Sequence, residues 1–429
     1  MHVVKNKTQD QVEVAKGGLL DRRRFLLSGA TFLSVAGVSQ IASQSHAKDF
    51  SKFPDHMLTP GFPSEDYGVP SEYENHVKRL PEEVYGSAII TAAFTPLDQL
   101  NGIITPAGLH FSVHHNGIPD IAPENHQFMI HGLVENALKW SVEDLLNYPM
   151  VSRFHFLECS GNSAPNIISD KPLDWTCGHI HGQISGSLWT GVPLKYLLDE
   201  AGIKPNGEWA MCEGADSANH VRNIPLKKLY DDAIIAFYQN GERIRPDQGY
   251  PMRLFCPGYE GNMSVKWLHR IEISDIPSQS KDEQSLYMDV TSDGRIRQYS
   301  YTMEVKSVIT KPSGKQGLPE SGLYEISGFA WSGRGKVNKV EVSADGGKTW
   351  ANAHLEGPVM DKCMTRFTIP WQWDGKETVL VSRATDEFGN VQPTRADWVS
   401  RFARFSHGHN NSINSWHISP EGKVSNIYV

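Results

Sequence analysis

The 429 residues carry 39% hydrophobic and 21% charged side chains, an ordinary globular composition long enough for two or three domains, each with its own core. Glycine (37) and proline (25) stand near average usage, which excludes a collagen-like or low-complexity chain. Lys+Arg 41 against Asp+Glu 49 give a net charge of −8, so no basic excess marks nucleic acid as a partner, and a mean hydropathy of −0.40 excludes a polytopic membrane protein.

The first informative segment is Asp21-Arg22-Arg23-Arg24-Phe25-Leu26-Leu27, which leads into a short, weakly apolar stretch ending near Ser45-His46-Ala47. Arginines, then an apolar run broken by Gly29 and Gly37, then a small-x-small end make an export signal. The run falls short of the roughly 20 apolar residues that span a bilayer. Arg-Arg-x-Phe-Leu resembles a bacterial twin-arginine leader, a route for folded proteins that suits an enzyme loaded with its cofactor before export. Residues 1–47 are therefore expected to be a signal peptide cleaved after Ala47, with the periplasm as destination; an uncleaved amphipathic anchor is the alternative. The five cysteines (Cys159, Cys177, Cys212, Cys256 and Cys363) are odd in number and form no CxxC pair. No zinc site or haem attachment follows from them, and at least one thiol stays unpaired within the chain.

Residues 48–105 are rich in Pro, Ser and acids with little periodicity, which predicts an extended arm rather than a domain. From 106 to 290 strand-like runs outnumber helical ones, an α+β pattern. Arg153-Phe154-His155-Phe156-Leu157-Glu158 alternates with period two and stops at the turn sequence Cys159-Ser160-Gly161-Asn162. Residues 193–201 read as a helix opened by Pro193 and closed by Gly202, and Ser141 is placed to cap a second short helix. Beyond about 291, alternating strands near 324–331, 337–342 and 378–383, with a hairpin turn at Asp345-Gly346-Gly347, predict an immunoglobulin-like β-sandwich and a C-terminal tail to residue 429.

Cys159 sits where a strand ends, a place from which a soft thiolate projects into a cleft and can bind a transition metal. Alone, such a cysteine is more often a packed core residue. Other runs add polar chemistry. Glu213-Gly214-Ala215-Asp216 ends in a carboxylate able to accept from a heterocycle, Gly249-Tyr250-Pro251-Met252-Arg253-Leu254 offers a guanidinium, and Gly258-Tyr-Glu-Gly-Asn-Met-Ser-Val-Lys-Trp267 joins a glycine-rich loop to a cation. Arg253 and Lys266 can neutralise a phosphate, while glycines let backbone approach it closely. Each also has a plain structural use: Asp216 in a turn, Arg253 at the surface, Lys266 at a strand edge.

The order of these segments, followed by a β-sandwich, closely resembles the sulfite oxidase family of molybdenum enzymes, nearest to the molybdenum subunits of sulfane (sulfite) dehydrogenases. Supporting runs are His110-Phe-Ser-Val-His-His-Asn-Gly-Ile-Pro119, Trp189-Thr-Gly-Val-Pro-Leu194, Ile326-Ser-Gly-Phe-Ala-Trp-Ser-Gly333 and Asp386-Glu-Phe-Gly-Asn-Val-Gln-Pro393. The resemblance implies Mo-molybdopterin as cofactor, with no haem in this chain, and Cys159 as the protein ligand to molybdenum. It implies that His114, His115, Asp216, Gln248, Arg253, Ser264, Val265 and Lys266 hold the pterin and its phosphate. It also places Tyr287 as the active-site tyrosine, with His115 beside the chemistry.

In the same comparison Val113 takes the place of the substrate-site arginine, Gln248 replaces a pterin-contacting histidine, and Asn414-Ser415-Trp416-His417-Ile418 lacks a second anion-binding arginine. Without those bidentate donors, sulfur delivered on a carrier protein's cysteine becomes a better expected substrate than free sulfite. The expected activity is a periplasmic two-electron oxo transfer to reduced sulfur. A c-type cytochrome subunit is expected to take the electrons, a sulfur-carrier protein to be the substrate, and the sandwich to mediate self-association. The alternatives are a stand-alone sulfite dehydrogenase, a reductase of another oxo substrate, or a non-enzymatic binding module.

Overall fold

The computed structural model describes residues 13–21, 55–84, 87–403 and 409–429. The arginine-led stretch and the expected cleavage site lie outside the described residues. Among those described, no helix is long and apolar enough to cross a membrane.

Two sheets form the first domain. In one, Val151–Glu158 pairs antiparallel with Ile184–Pro193, which pairs with Ile234–Gln239; Arg253–Phe255 and Glu242–Arg243 complete its far edge. In the other, the order is Val221–Pro225, Trp209–Gly214, Leu268–Ser274, Gln127–Gly132 and Leu138–Ser141, with a parallel pairing only between Leu268–Ser274 and Gln127–Gly132. Phe128 and Ile130 from this sheet meet Val192, Ile235, Phe237 and Leu254 from the first in one buried core. The helix Leu194–Ala201 seals that core with Leu194, Leu197 and Leu198, and Gly202 ends it at φ 68°, a left-handed cap that favours glycine. The short helix Val142–Leu146 opens on the expected cap: Ser141 Oγ accepts from Asp144 N while the Asp144 carboxylate accepts from Ser141 N.

The second domain is the expected sandwich. Lys306–Lys311, Gly322–Trp331 and Thr365–Trp373 form the body of one sheet; Val337–Ser343, Thr378–Asp386, Ser415–Ile418 and Val424–Ile427 form that of the other. Val308, Phe329, Val340, Trp371, Leu380 and Trp416 interlock between them. The turn after Ser343 holds Gly346 and Gly347 at φ 72° and 87°, as its sequence requires.

Three segments differ from the sequence reading. The expected arm is irregular only in part: exposed residues such as Phe62 and Tyr73 fit it, but Leu80–Val84 and Ser87–Phe94 form a hairpin that Ser112–His114 extends to three strands. Pro81 and the acidic pair Glu82-Glu83 obscure the alternation there, while burial of Ala92 and Phe94 supplies the tertiary drive. The expected C-terminal tail supplies two ladder strands, Ser415–Ile418 and Val424–Ile427, because they complete the sheet edge beside Thr378–Asp386. Finally, within the segment read as leader, Glu13–Ala15 and Leu19–Leu20 form a hairpin on Thr365–Trp373, with Leu19 fully buried opposite Trp371.

The capping box supports a direct test. Ser141→Ala removes an exposed cap and is expected to cost about 1 kcal/mol in chemical denaturation, with activity unchanged.

Candidate active site

A cleft of about 680 Å³ of atom-free space opens where the strand ends of the first domain meet the Gly258–Trp267 loop. Cys159, His114, His115, Asp216, Gln248, Arg253, Ser264, Lys266 and Tyr287 all line it, so nine of the expected site residues converge. Val265 does not: its side chain is buried in the core and its carbonyl accepts from Leu254 N at 2.8 Å. Alternation in an extended segment explains this, since its neighbours Ser264 and Lys266 face the other way.

Cys159 leaves the end of Val151–Glu158 and its amide donates to Gln183 O at 2.9 Å. The opposing loop passes close enough that a Cβ on Gly261 would lie 2.8 Å from Glu158 O. Cys159 is a free thiol, as are the other four cysteines, all of which are buried. Burial pushes the Cys159 thiol up to about 11, with Glu260 and Glu158 adding to the rise; a backbone hydrogen bond from Gly161 opposes it. A cation bound at the sulfur would reverse that balance.

Deeper in the cleft two basic side chains face each other. Arg253 donates from Nη1 to Gln248 O at 3.1 Å and from Nη2 to Ser264 O at 2.6 Å, while its Nε is buried without a partner. Lys266 Nζ donates to Val113 O at 2.9 Å, His114 Nδ1 at 2.8 Å and Asp247 O at 3.1 Å. Among the described residues neither makes an ion pair; their acceptors are carbonyls and a ring nitrogen. Burial lowers the Arg253 guanidinium to about 9, and burial together with Arg253 holds Lys266 well below the ordinary lysine value. His114, desolvated and beside Lys266, falls to about 2 and is a neutral acceptor. Gly249, at φ 107°, lets their two segments close up against it: a Cβ there would stand 3.1 Å from both Arg253 Cβ and Lys266 Cα. Gln248 donates from its amide nitrogen to Phe111 O at 3.0 Å, and Asp216 Oδ1 accepts from His220 N at 3.1 Å, the turn contact that sequence reading weighed as its plain use.

At the mouth, Tyr287 Oη lies 3.1 Å from His115 Nε2. Its ring lies 4.4 Å from the Arg222 guanidinium, itself held by Glu283 through two bonds of 3.0 and 3.1 Å. Sequence reading missed His220, whose Nε2 donates to Asn262 O at 3.0 Å and whose Nδ1 lies 3.6 Å from Asp282 Oδ2. Burial first, against the pull of Asp282, lowers both His115 and His220, the latter to about 4. Asn262 and Trp267, which also line the cleft, lie inside the glycine-rich run that the sequence does single out. A lone histidine after Ser217-Ala-Asn carries no comparable signal.

A half-buried thiol in one cleft with two desolvated basic groups that, among the described residues, make no ion pair is a donor set for a metal whose remaining ligand carries a phosphate. The family comparisons agree with that chemistry. Residues 115–282 match the oxidoreductase molybdopterin binding domain, and residues 297–415 match the Mo-co oxidoreductase dimerisation domain. The chain is 40% identical to a chain of the sulfane dehydrogenase SoxCD from Paracoccus pantotrophus, with a TM-score of 0.83 over 88% of this chain and 96% of that one. It is 31% identical to the NADH nitrate reductase of Solanum lycopersicum over 351 residues and 33% identical to that of Cichorium intybus over 354, in each case 71% of this chain. It spans only 38% and 37% of those plant enzymes.

The fold and site thus define a molybdopterin oxidoreductase rather than a non-enzymatic binding module. The chain belongs to the sulfite oxidase family, with an α+β molybdopterin-binding domain followed by an immunoglobulin-like sandwich. The orphaned Arg253 Nε and two buried basic groups whose hydrogen-bond acceptors are all uncharged fit the phosphate-bearing group that the family implies.

Two outcomes follow. Gly261→Ala pushes a methyl into Glu158 O and is expected to lower bound molybdenum per chain several-fold, measured by elemental analysis, while far-UV circular dichroism stays native. His110, His155, His220 and His409 are held neutral by burial, with folded pKa values near 3, 4, 4 and 4 against an ordinary 6.5. The unfolded chain therefore binds more protons below 6.5. Stability is full above pH 6.5 and falls as pH drops toward about 4, which calorimetry of the metal-free protein across that window should show.

Proposed function

We propose that this protein is the molybdenum subunit of a SoxC-like sulfane dehydrogenase, oxidising carrier-bound reduced sulfur and passing electrons to a separate c-type cytochrome. The observation that carries the reading is that one cleft holds the Cys159 thiol, the Tyr287–His115 pair and the Arg253–Lys266 pair. When bound, the molybdenum group supplies two-electron oxo transfer to sulfur. Cys159 is its protein ligand. Arg253 and Lys266 hold the pterin phosphate, exchanging carbonyl and imidazole acceptors for charged oxygens. His114, Asp216, Gln248 and Ser264 contact the pterin by side chain, and Val265 by backbone.

Tyr287 and His115 meet the substrate. His115, kept neutral by burial, accepts from the phenol or donates toward a substrate oxygen, so the pair can shuttle one proton at Oη without changing the net charge of the mouth. Arg222 under the Tyr287 ring, with its charge spent on Glu283, fixes the phenol without being free to clamp an anion.

The substrate assignment rests on charge. Val113 occupies the position expected for an arginine, and its carbonyl is an acceptor for Lys266. Among the described residues lining the cleft, the arginine and lysine side chains are Arg253 and Lys266, both assigned to the cofactor. A small dianion has little to hold it, whereas a tethered sulfur atom is presented by its carrier at high effective concentration. Folded export by the twin-arginine route to the periplasm and self-association through the sandwich complete the proposal. A second reading, a stand-alone sulfite dehydrogenase or a reductase of another oxo substrate, draws on the 31–33% identity with nitrate reductases.

Steady-state assays of the metal-loaded full chain with cytochrome c should show turnover on sulfane-loaded carrier far above that on free sulfite; with a reduced donor they should show none on nitrate. Cys159→Ser should bring turnover to background with the thermal transition retained. Nitrate turnover, or full activity in Cys159→Ser, would overturn the proposal.

A further inference from the structure

The wall behind Cys159 is built by the sandwich. Glu158, the residue before the cysteine, is fully buried. Its Oε1 accepts from Asn162 Nδ2 at 2.9 Å and from Lys306 Nζ at 3.3 Å, and its Oε2 accepts from Trp331 Nε1 at 2.6 Å. Lys306 and Trp331 are direct register partners at one end of the pairing between Lys306–Lys311 and Gly322–Trp331. The same Lys306 ammonium donates to Ser163 Oγ at 2.7 Å, leaving that hydroxyl to donate to His181 Nδ1 at 2.6 Å. Ser163 holds φ 69°, a left-handed conformation that a non-glycine residue adopts only when its surroundings impose it. One cation from the second domain therefore grips the Cys159 turn on both sides, at Glu158 before the sulfur and at Ser163 after it. Asn410 Nδ2 adds a third grip on Ser163 O at 3.0 Å.

Stability alone does not account for this arrangement. A buried ion pair pays desolvation on both charges, and an apolar pair of the same volume is commonly at least as stable. What the pair does supply is direction: a carboxylate with fixed donors on both oxygens cannot rotate, and the next residue carries the sulfur. We propose that Lys306 and Trp331 are positioning residues that set the orientation of the Cys159 sulfur, so that the sandwich, beyond its match to a dimerisation domain, forms part of the active-site scaffold. The inference rests on Cys159 being the molybdenum ligand.

The test compares metal-loaded full-length wild type, Trp331→Phe, and a double variant carrying Lys306→Met with Glu158→Gln. Trp331→Phe keeps a ring and removes the donor; the double variant removes both charges together, so that no unpaired charge stays buried, and carries the comparison should Trp331→Phe fail to fold. The readouts are the thiolate-to-molybdenum charge-transfer absorption, molybdenum per chain, thermal unfolding, and kcat against KM. The inference expects bound molybdenum, a displaced absorption band, and a kcat lowered about 10- to 100-fold at unchanged KM. A band and kcat identical to wild type, with only the unfolding temperature altered, would reduce these residues to packing and overturn it. A wild-type protein lacking a band that depends on Cys159 would overturn the ligand assignment as well.

Discussion

Two basic groups taken out of water side by side, with no carboxylate among the described residues in salt-bridge contact with either, set the terms for the rest of this structure. Arg253 and Lys266 are joined by a bridge across neighbouring segments, and the acceptors they do find are neutral. Burying a charge is expensive, and the lowered proton affinity of both groups expresses that expense, with repulsion from Arg253 adding to it at Lys266. In the proposed reading, the pair is kept for the phosphate of the cofactor. Its neighbours keep the pair close: glycine at 249 lets their two segments approach, and His114 is a neutral acceptor for Lys266.

The cleft is divided by chemistry as well as by depth. The floor is cationic, the wall presents a thiol, and the mouth is lined by rings whose charges are suppressed or already paired. That gradient distinguishes the group held permanently from the molecule that comes and goes. Domain structure follows the same division, since the described residues that line the cleft come from the first domain whereas the sandwich stands behind the thiol.

Much of this was legible in the sequence where a local rule applied. The strand before Cys159, the Ser141 cap, the Gly202 stop and the sandwich strands each carry periodicity or turn chemistry within a few residues. The convergence of runs near 114, 159, 216, 253, 266 and 287 came from their order along the chain, which resemblance to a family made readable. What stayed hidden depends on contacts between distant residues. The Glu158–Lys306 pair is separated by 148 positions, and nothing in the run that ends at Glu158 points to Lys306 as its partner. His220 is an isolated histidine until Asp282 and Asn262 fold around it. The hairpin formed by Leu80–Val84 and Ser87–Phe94 reads as irregular because Pro81 and its acids mask strands that a third strand extends.

The central claim is a bond between one sulfur of this chain and molybdenum, and X-ray absorption at the molybdenum edge addresses it most directly. The full-length protein should carry metal with one more sulfur neighbour than the Cys159→Ser variant shows. An identical sulfur count in the two proteins, or metal absent from both while the fold is intact, would contradict the account.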